Sequence, residues 1–479
     1  MTIWRWVGIG LFALMLGCTG LSTQNGDTYF SQKEYQKAMQ AYIQSMQVRS
    51  VDGKRYIRYS PEIMTKIGIS ALNMDMWAGA IKVFTHVNNK TPSYGAAYFY
   101  LGMCYERQGK FKQAQNIYSN YSMLSINDPG REAMKGRLYY LKKQQYIKEA
   151  KMMAARGPGD QSGFPTQRMV VLDFHYDGSD LRGTVLSLGL ASLVIDDLNR
   201  IGGFQVVPRE RIYQLMQAMG WQAGDLNNVE NLERIQKLLK VGTVIHGKLQ
   251  MAGGGTMKIS QRTLTFTGVR HVKESDFNGK IQNIMLLQKK IVLNILKDLD
   301  IQLTSSQTNI LKIPATRSLK AFLNYAYALY ALDHSQYYVA QDYLKKAIEI
   351  DPDFVVADQI TVSSDIFDAV QSSDWMAMQK KLNKIFRIDS DKSDVDFGYD
   401  AWVNLGPIDR LQEMGRYLDA GFIPGSDSRE AFEELDLGEL MELFPDFSEG
   451  LPDPPNPPES HYPVDPWYLP DPPPPPHRP

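Results

Sequence analysis

The chain has 479 residues, of which 43% are hydrophobic and 22% are charged, and its formal net charge is -1. Domains usually hold about 100–200 residues, so this length predicts about three packed units rather than a single core. Because positive and negative charges balance, the chain lacks the overall positive charge that attracts nucleic acid. The two cysteines, Cys18 and Cys104, are too few for a disulfide framework.

Residues 1–17 are typical of an export signal. An apolar run, Trp6–Leu16, follows the single charge of Arg5. This run is too short to span a bilayer, which needs about 20 apolar residues, and its length fits the core of a signal peptide.

The end of this run carries a lipidation motif. Leu14-Met15-Leu16-Gly17-Cys18 resembles the lipobox of bacterial lipoproteins, although methionine stands where leucine is commonest. The resemblance implies lipidation of Cys18, and acyl chains on that cysteine would anchor the chain stably in a membrane. Because Thr19 rather than aspartate follows, the resemblance implies the outer membrane, with the chain on its periplasmic face. The alternative is an ordinary signal peptide whose cysteine is incidental.

Residues 24–156 carry an internal repeat. Gly68, Ala80 and Phe84 are matched, each 34 residues later, by Gly102, Ala114 and Tyr118. This is the period of tetratricopeptide repeats, in which small residues let two antiparallel helices cross closely. We therefore predict three helix pairs here, with Cys104 as a buried thiol. Such repeats bind protein partners on a concave surface, and the candidate partner-binding residues are Tyr98, Tyr105, Tyr118 and Tyr121. The alternative is that each tyrosine only packs in the core.

The end of this region, residues 131–156, reads as a helix with an excess of basic residues. We expect these basic residues to face the solvent. The alternatives are that they bind an acidic partner or a membrane surface. Gly157-Pro158-Gly159 then predicts a linker.

Residues 165–305 change to an alternation of strands and helices. Five strands are predicted, at Met169–Phe174, Phe204–Val207, Val241–Gly247, Lys258–Phe266 and Arg270–Phe277. Helices between them and a final helix over Lys280–Leu299 favour a central α/β sandwich domain. The fold class is therefore α/β plus all-α, with tetratricopeptide-like helices flanking this domain.

The α/β segment resembles the curli-secretion (CsgG-like) lipoprotein family and the amino-terminal domain of TolB-like proteins. The matching stretches are Val171–Phe174, Gly189–Ser192 leading to Asp196, Phe204–Arg211 and Leu238–Gly247. The resemblance implies a periplasmic domain in an outer-membrane assembly, which in curli secretion is an oligomeric pore.

A spanning hairpin is not expected in this domain. The candidate insertion, Leu249–Gly279, must also supply two sheet strands and is rich in charged residues. We therefore expect a domain that stays in water and self-associates or docks, with a curli-type secretion channel subunit as the alternative.

Residues that could carry chemistry are sparse. The Gly253-Gly254-Gly255 run lacks the lysine spacing of a phosphate loop and predicts a hairpin. Asp173 and Asp196 could pair as acid and base. We expect instead that Asp173 lies at the end of a strand and Asp196 on the surface of a helix. Arg209 and Arg211 could bind an anion at the start of a helix, but they are expected to be surface charges. We predict no metal, no cofactor and no enzymatic activity, with a ligand-sensing or enzymatic module as the alternative.

The C-terminal part divides into three segments. Residues 316–390 predict a further tetratricopeptide-like helix pair and a capping copy, and residues 391–450 are an acidic segment. Residues 451–479 contain 14 of the 25 prolines and predict a disordered, extended tail. The whole pattern favours a lipoprotein scaffold that binds protein partners in a secretion, surface-structure or envelope-assembly complex. Such a scaffold could also form homo-oligomers.

Overall fold

The computed structural model describes residues 23–49, 55–159, 164–252, 255–267 and 269–388. Cys18, the acidic segment and the proline-rich tail lie outside these residues. The chain divides into two compact units, Met1–Cys104 with Arg387–Pro479 and Tyr105–Phe386, which we call unit 1 and unit 2. No helix in the described ranges is long and apolar enough to cross a bilayer.

Unit 1 is built from antiparallel helix pairs, as the 34-residue period predicts. Its elements are α1 (23–31), α2 (Tyr35–Met46), β1 (Gln47–Arg49), β2 (Arg55–Ile57), α3 (Pro61–Asn73), α4 (Trp77–Lys90) and the start of α5 (Gly95–Arg107). The side chain of Ser60 caps α3 by accepting from the backbone N–H of Ile63, and Pro61 occupies the first helical position. The short strands β1 and β2 pair antiparallel between the first two helix pairs.

Glycines facing aromatic rings set the close approach of these helices. A Cβ on Gly26 would lie 2.4 Å from the ring of Tyr42, and one on Gly68 would lie 2.6 Å from the ring of Phe84. Both aromatic rings are almost fully buried. Each glycine precedes its aromatic partner by the same number of residues, so the same packing contact occurs in two successive helix pairs.

Unit 2 contains a mixed sheet in an otherwise mostly helical fold. Its strands are β3 (Arg168–Val171), β4 (His175–Tyr176), β5 (Gln205–Val206), β6 (Thr243–Ala252), β7 (Thr256–Thr267) and β8 (Val269–Lys280). The order is β5-β3-β6-β7-β8, and β4 pairs with β6. Strand β3 is parallel to β5 and β6, whereas β6, β7 and β8 are antiparallel neighbours. The five predicted strand positions and the hairpin at the glycine run are confirmed.

Helices cover both faces of this sheet and extend beyond it. They are α6 (Phe111–Ser119), α7 (Pro129–Arg156), α8 (Leu181–Ile201), α9 (Arg209–Met219), α10 (Val229–Leu239), α11 (Ile284–Asp298), α12 (Ser305–Lys312), α13 (Leu319–Asp333), α14 (Tyr337–Ile350), α15 (Val355–Asp358), α16 (Ser364–Val370) and α17 (Trp375–Ile385). On one face, α8, α11, α13 and α14 share a core with the sheet. On the other, α9, α10 and the end of α7 form a second core.

The hairpin of α13 and α14 packs directly on the sheet domain. A Cβ on Gly189 of α8 would lie 2.8 Å from Phe322 and from Ala326 of α13. The hydroxyl groups of Ser192 and Tyr325 hydrogen-bond at 2.7 Å in the same contact. The core therefore continues past residue 305, where the sequence predicts the end of the α/β domain, into the hairpin of α13 and α14.

The basic helix α7 is largely an internal element of unit 2. Lys135, Arg137 and Lys143 are all less than 10% exposed, and each donates a hydrogen bond within the unit. The expectation of a solvated face is wrong for these three, because helix α7 lies between other elements of the unit. It holds for Lys148 and Lys151 on the exposed side of the same helix.

Candidate functional site

The four tyrosines predicted to bind partners differ in accessibility. Tyr98, Tyr105 and Tyr121 are half-buried, so part of each ring reaches the surface. Burial raises the pKa of Tyr121. Tyr118 is 0% exposed, and its hydroxyl donates to Oε1 of Glu106 at 2.7 Å. Tyr118 therefore packs in the core, which is the alternative given by the sequence, and cannot contact a partner without local opening.

A second set of aromatic side chains lies on unit 2, on the hairpin of α13 and α14. Tyr327 and Tyr343 stack with their ring centroids 5.3 Å apart and an angle of 20° between their planes. Both rings remain partly exposed. The ammonium group of Lys346 lies 5.6 Å from the centroid of the Tyr343 ring, a cation–π contact at the rim of the stack.

The sheet domain adds a tyrosine and a cation to this surface. Tyr176, at the end of β4, packs its ring against Gly178 and Gly183, where a Cβ would lie 2.3 Å from the ring. Arg182, in the first turn of α8, is 71% exposed and pairs with Asp180. The pKa of Arg182 is raised, first by its hydrogen bond to Asp180 and further by the nearby phenol groups of Tyr327 and Tyr176. Arg182 is therefore near both phenol groups.

The surface continues one turn along α13. The rings of Tyr330 and His334 are 4.1 Å apart, and His334 Nδ1 lies 2.8 Å from the carbonyl oxygen of Tyr330. We define the tyrosine face as Tyr176, Tyr327, Tyr330 and Tyr343 together with Arg182, His334 and Lys346. Partly exposed aromatic rings beside cations are typical of protein-recognition surfaces, because a large apolar area adjoins groups that bind acidic side chains.

A buried ion-pair network fixes the end of α13. Arg209, the first residue of α9, donates to Asp173 at 3.0 Å and to Asp333 at 2.6 Å. The hydroxyl of Tyr213 donates to the carbonyl oxygen of Asp333 at 2.7 Å. Burial raises the pKa of Asp173. Arg209 is therefore a buried cross-link rather than the surface charge expected from the sequence, because two carboxylates from other elements converge on it.

Asp173 and Asp196 do not act as an acid–base pair in this arrangement, because they have different partners. Asp173 is committed to Arg209, whereas Oδ2 of Asp196 lies 3.9 Å from Arg200 on its own helix. Asp196 is half-buried on α8, with its side chain 16% exposed, and burial raises its pKa to about 6. No group of three or more potential metal ligands occurs in the described part of the chain.

Sequence reasoning placed the binding residues on the N-terminal repeats and did not find the tyrosine face. Part of it was visible as a stripe on one helix, since Tyr327, Tyr330 and His334 follow the spacing of one helical face. Tyr176 and Arg182 could not be added, because their position depends on how α8 packs against α13.

Comparison with known proteins supports the repeat. Residues 96–121 match the family model of the tetratricopeptide repeat. The chain therefore contains a tetratricopeptide repeat, in the region where the 34-residue period lies. No curated protein sequence matches the chain.

Among solved structures, the crystal structure of yeast Tom70 is similar over 77% of this chain and 76% of that chain. The identity is 13% and the TM-score is 0.21, and so distant a similarity carries no argument about function.

Proposed function

We propose that this protein is a lipid-anchored scaffold that binds other proteins at the periplasmic face of the outer membrane, within a secretion, surface-structure or envelope-assembly complex. The observation that carries the proposal is the tetratricopeptide repeat over residues 96–121, whose first helix presents the half-exposed Tyr98 and Tyr105. Repeats of this kind bind protein partners through such surfaces. The role proposed is non-enzymatic.

The α/β domain supports the same role. Its sheet carries the hairpin of α13 and α14 on one face, so the second set of aromatic residues lies on helices that share the hydrophobic core of the sheet. The resemblance of this domain to curli-secretion lipoproteins is the reason for proposing an envelope assembly. The lipobox-like sequence ending at Cys18 is the reason for proposing the anchor.

The anchor is tested by metabolic labelling with an alkyne fatty acid and by membrane fractionation. We expect Cys18→Ser to lose the label and to leave the membrane fraction. Cys104→Ser is the matched control, since it removes the buried cysteine and should change neither result. If the Cys18→Ser variant keeps its label, the anchored part of the proposal is wrong.

The partner-binding surface is tested by placing a photo-cross-linking amino acid at Tyr98 in the native envelope. We expect a discrete adduct with another protein. The control is the same amino acid at Lys82, an exposed residue of α4 in the same unit. Equal adducts from both positions, or none from Tyr98, would reject this surface.

A further inference from the structure

Strand β8 is the last strand of the mixed sheet in the described part of the chain, so one of its edges has no partner strand there. It pairs with β7 along its whole length of 12 residues, and the backbone groups of the other edge face outward. The side chains of Asp276, Asn278 and Lys280 on this strand are exposed. A long open edge is a ready template for a strand of another chain.

Helix α11 packs over β8 and leaves one of its own sides exposed. Toward the sheet, the hydroxyl of Ser275 donates to Oδ1 of Asn294 at 3.3 Å. Toward α8, the side-chain amide of Gln288 donates to Asp197 at 2.7 Å. The exposed residues of α11 form a third side, which consists of Leu286, Lys290, Leu293 and Lys297.

This third side projects past the open edge of β8. Helix α8 contacts β3, β5 and β6, which lie farther from that edge. At about 100° per residue, the exposed residues of α11 are turned away from α8 and lie roughly a quarter turn from the residues that meet the sheet. Leu286 and Leu293 are 56% and 50% exposed. We call the outward side of β8, together with these two leucines, the β8 edge.

The β8 edge fits a second copy of itself. Two antiparallel copies of one strand are related by a two-fold axis, and each contact between them then occurs twice. Successive side chains of a strand alternate between the two faces of the sheet. The helix-covered faces of the two sheets therefore join only when the axis passes through a residue of β8, so that this residue lies opposite its own copy.

The charges of β8 favour an axis at Phe277. In that register residues 274–280 of the two copies pair, and Glu274 of each copy lies opposite Lys280 of the other. Both side chains are accessible, since Lys280 is exposed and Glu274 is 50% exposed beside Arg262. Opposite charges directly across two strands stabilise their pairing, and here the pair occurs twice.

Neighbouring registers gain less from these charges. An axis at Ser275 sets Glu274 opposite Asp276, and an axis at either of these acids sets that acid opposite its own copy. Like charges directly opposite each other destabilise strand pairing. An axis at Asn278 pairs only residues 276–280, which shortens the contact.

The position of α11 favours the same axis. The side chain of Leu287 lies over Gly279, and Asn294 binds Ser275, so the segment of α11 between these contacts lies over Phe277. A two-fold axis at that point sets the two copies of α11 antiparallel and beside each other. The exposed leucines of one copy then meet those of the other.

An axis at Val272 would also join opposite charges, Arg270 and Glu274, but it would separate the helices. Lys273 already donates to the carbonyl oxygen of Asp298, the last residue of α11, so this axis lies beyond the end of that helix. The leucines of both copies would stay exposed to water, and this register would therefore bury less apolar surface.

We propose that two copies of this chain form a dimer through the β8 edge, with their β8 strands antiparallel about Phe277 and their sheets joined into one. The leucines of α11 are buried between the copies, Leu286 of one beside Leu293 of the other. A dimeric scaffold carries each partner-binding surface twice. The dimer goes beyond the scaffold function and requires neither the lipid anchor nor Tyr98.

The first test measures self-association of the full-length protein in detergent solution by sedimentation equilibrium. We expect a monomer–dimer equilibrium. Lys280→Glu and Glu274→Lys should each raise the dissociation constant at least tenfold, because each change sets like charges opposite each other at two places. Lys345→Glu, which alters an exposed residue of α14, is the matched control and should leave the constant unchanged.

Mixing the two variants separates a loss of charge pairing from a loss of folding. In a dimer of one Lys280→Glu chain with one Glu274→Lys chain, both contacts again join opposite charges. The mixture should therefore dimerise at least tenfold more tightly than either variant alone. A variant that had lost its fold would not be rescued in this way.

The register is tested with a photo-cross-linking amino acid at Leu286, in an equal mixture of chains labelled with ¹⁴N and ¹⁵N. We expect adducts between differently labelled chains on the peptide that contains Leu293. The same amino acid at Val355, a similarly exposed residue of α15, should give at least tenfold less of this adduct.

A protein that stays monomeric, a dimer that neither charge change weakens, a mixture that does not recover, or adducts only within one chain would overturn the proposal. None of these outcomes affects the labelling of Cys18 or the cross-linking at Tyr98, so the scaffold function stands or fails separately.

Discussion

Arg209 and Asp333 join the two faces of the sheet domain through an ion pair with an N–O distance of 2.6 Å. Arg209 begins α9, which packs on one face, and Asp333 ends α13, which belongs to the core on the other. Their side chains are 11% and 4% exposed. The same guanidinium donates to Asp173, two residues after the end of β3, so one residue links the strand, the helix and the hairpin to each other.

We predict that Arg209→Met lowers the free energy of unfolding of unit 2 by about 3–5 kcal/mol. Removing one partner of a buried ion pair leaves the other charge without compensation, and here two carboxylates lose their partner at once. Equilibrium denaturation in urea measures the change. Arg211→Met is the control, since its ion pair with Glu149 is more exposed and should contribute only about 1 kcal/mol or less. An equal loss in the two variants would show that Arg209 is not a cross-link.

A second prediction concerns Arg137 in the middle of α7. Its guanidinium pairs with Glu106 at 2.7 Å, both side chains are 7% exposed, and it also donates to the carbonyl oxygens of Val370 and Ser372. We expect Arg137→Lys to destabilise the protein by about 2 kcal/mol, because lysine cannot reproduce these planar, divergent hydrogen bonds. Hydrogen exchange should become faster in α16, the helix that ends at Val370. Lys148→Arg, on the exposed side of α7, should leave that exchange rate unchanged.

The sequence predicts local elements of this fold well. The strand at Val170 and the repeat that places Gly68 beside Phe84 both follow from short-range patterns of apolar and small residues, and both are present. Such patterns work because the spacing of side chains on a helix or strand is fixed by its backbone geometry.

Contacts between distant segments are not encoded in these patterns. Arg137 and Arg209 resemble ordinary surface charges in the sequence, because nothing local shows that carboxylates more than 30 residues away will reach them. The tyrosine face was missed for the same reason, since Arg182 of α8 comes near Tyr327 of α13 only after these two helices have packed together.

The third prediction concerns the pH dependence of stability, in which two buried groups oppose each other. Burial raises the pKa of Asp196 from 3.8 to about 6, so the folded state retains a proton there that the unfolded chain has lost. This makes the free energy of unfolding fall as pH rises through that interval. Burial and Arg262 lower the pKa of His246 from 6.5 to about 4, so the unfolded chain binds the extra proton and stability rises over the same interval.

Replacing one group should expose the effect of the other. Relative to the unaltered protein, Asp196→Asn should give a free energy of unfolding that rises more steeply between about pH 4 and 6, by about 2 kcal/mol in total. Relative to the unaltered protein, His246→Asn should give a free energy of unfolding that falls more steeply over the same pH interval, by a similar amount. Thermal or urea denaturation at half-unit pH steps measures both curves. Parallel curves for the two variants and the unaltered protein would contradict the assignment of these groups.

The last prediction tests the repeated contact between a glycine and an aromatic ring. Alanine is favoured over glycine in a helix by about 1 kcal/mol, so Gly68→Ala would stabilise an isolated helix α3. In the folded protein the new Cβ would lie 2.6 Å from the fully buried ring of Phe84, and we expect a net loss of about 1–3 kcal/mol in the free energy of unfolding of unit 1. Gly159→Ala, where a Cβ would meet no atom of the described residues within 4 Å, should be nearly neutral.

A double-mutant cycle separates this clash from a general effect on the helix. Phe84→Leu alone should destabilise unit 1, because it leaves space in the core. Combined with Gly68→Ala, it should cost less than the sum of the two single changes by at least about 0.5 kcal/mol, since the smaller side chain leaves room for the new Cβ. Additive losses would mean that Gly68 is required for some reason other than the ring of Phe84.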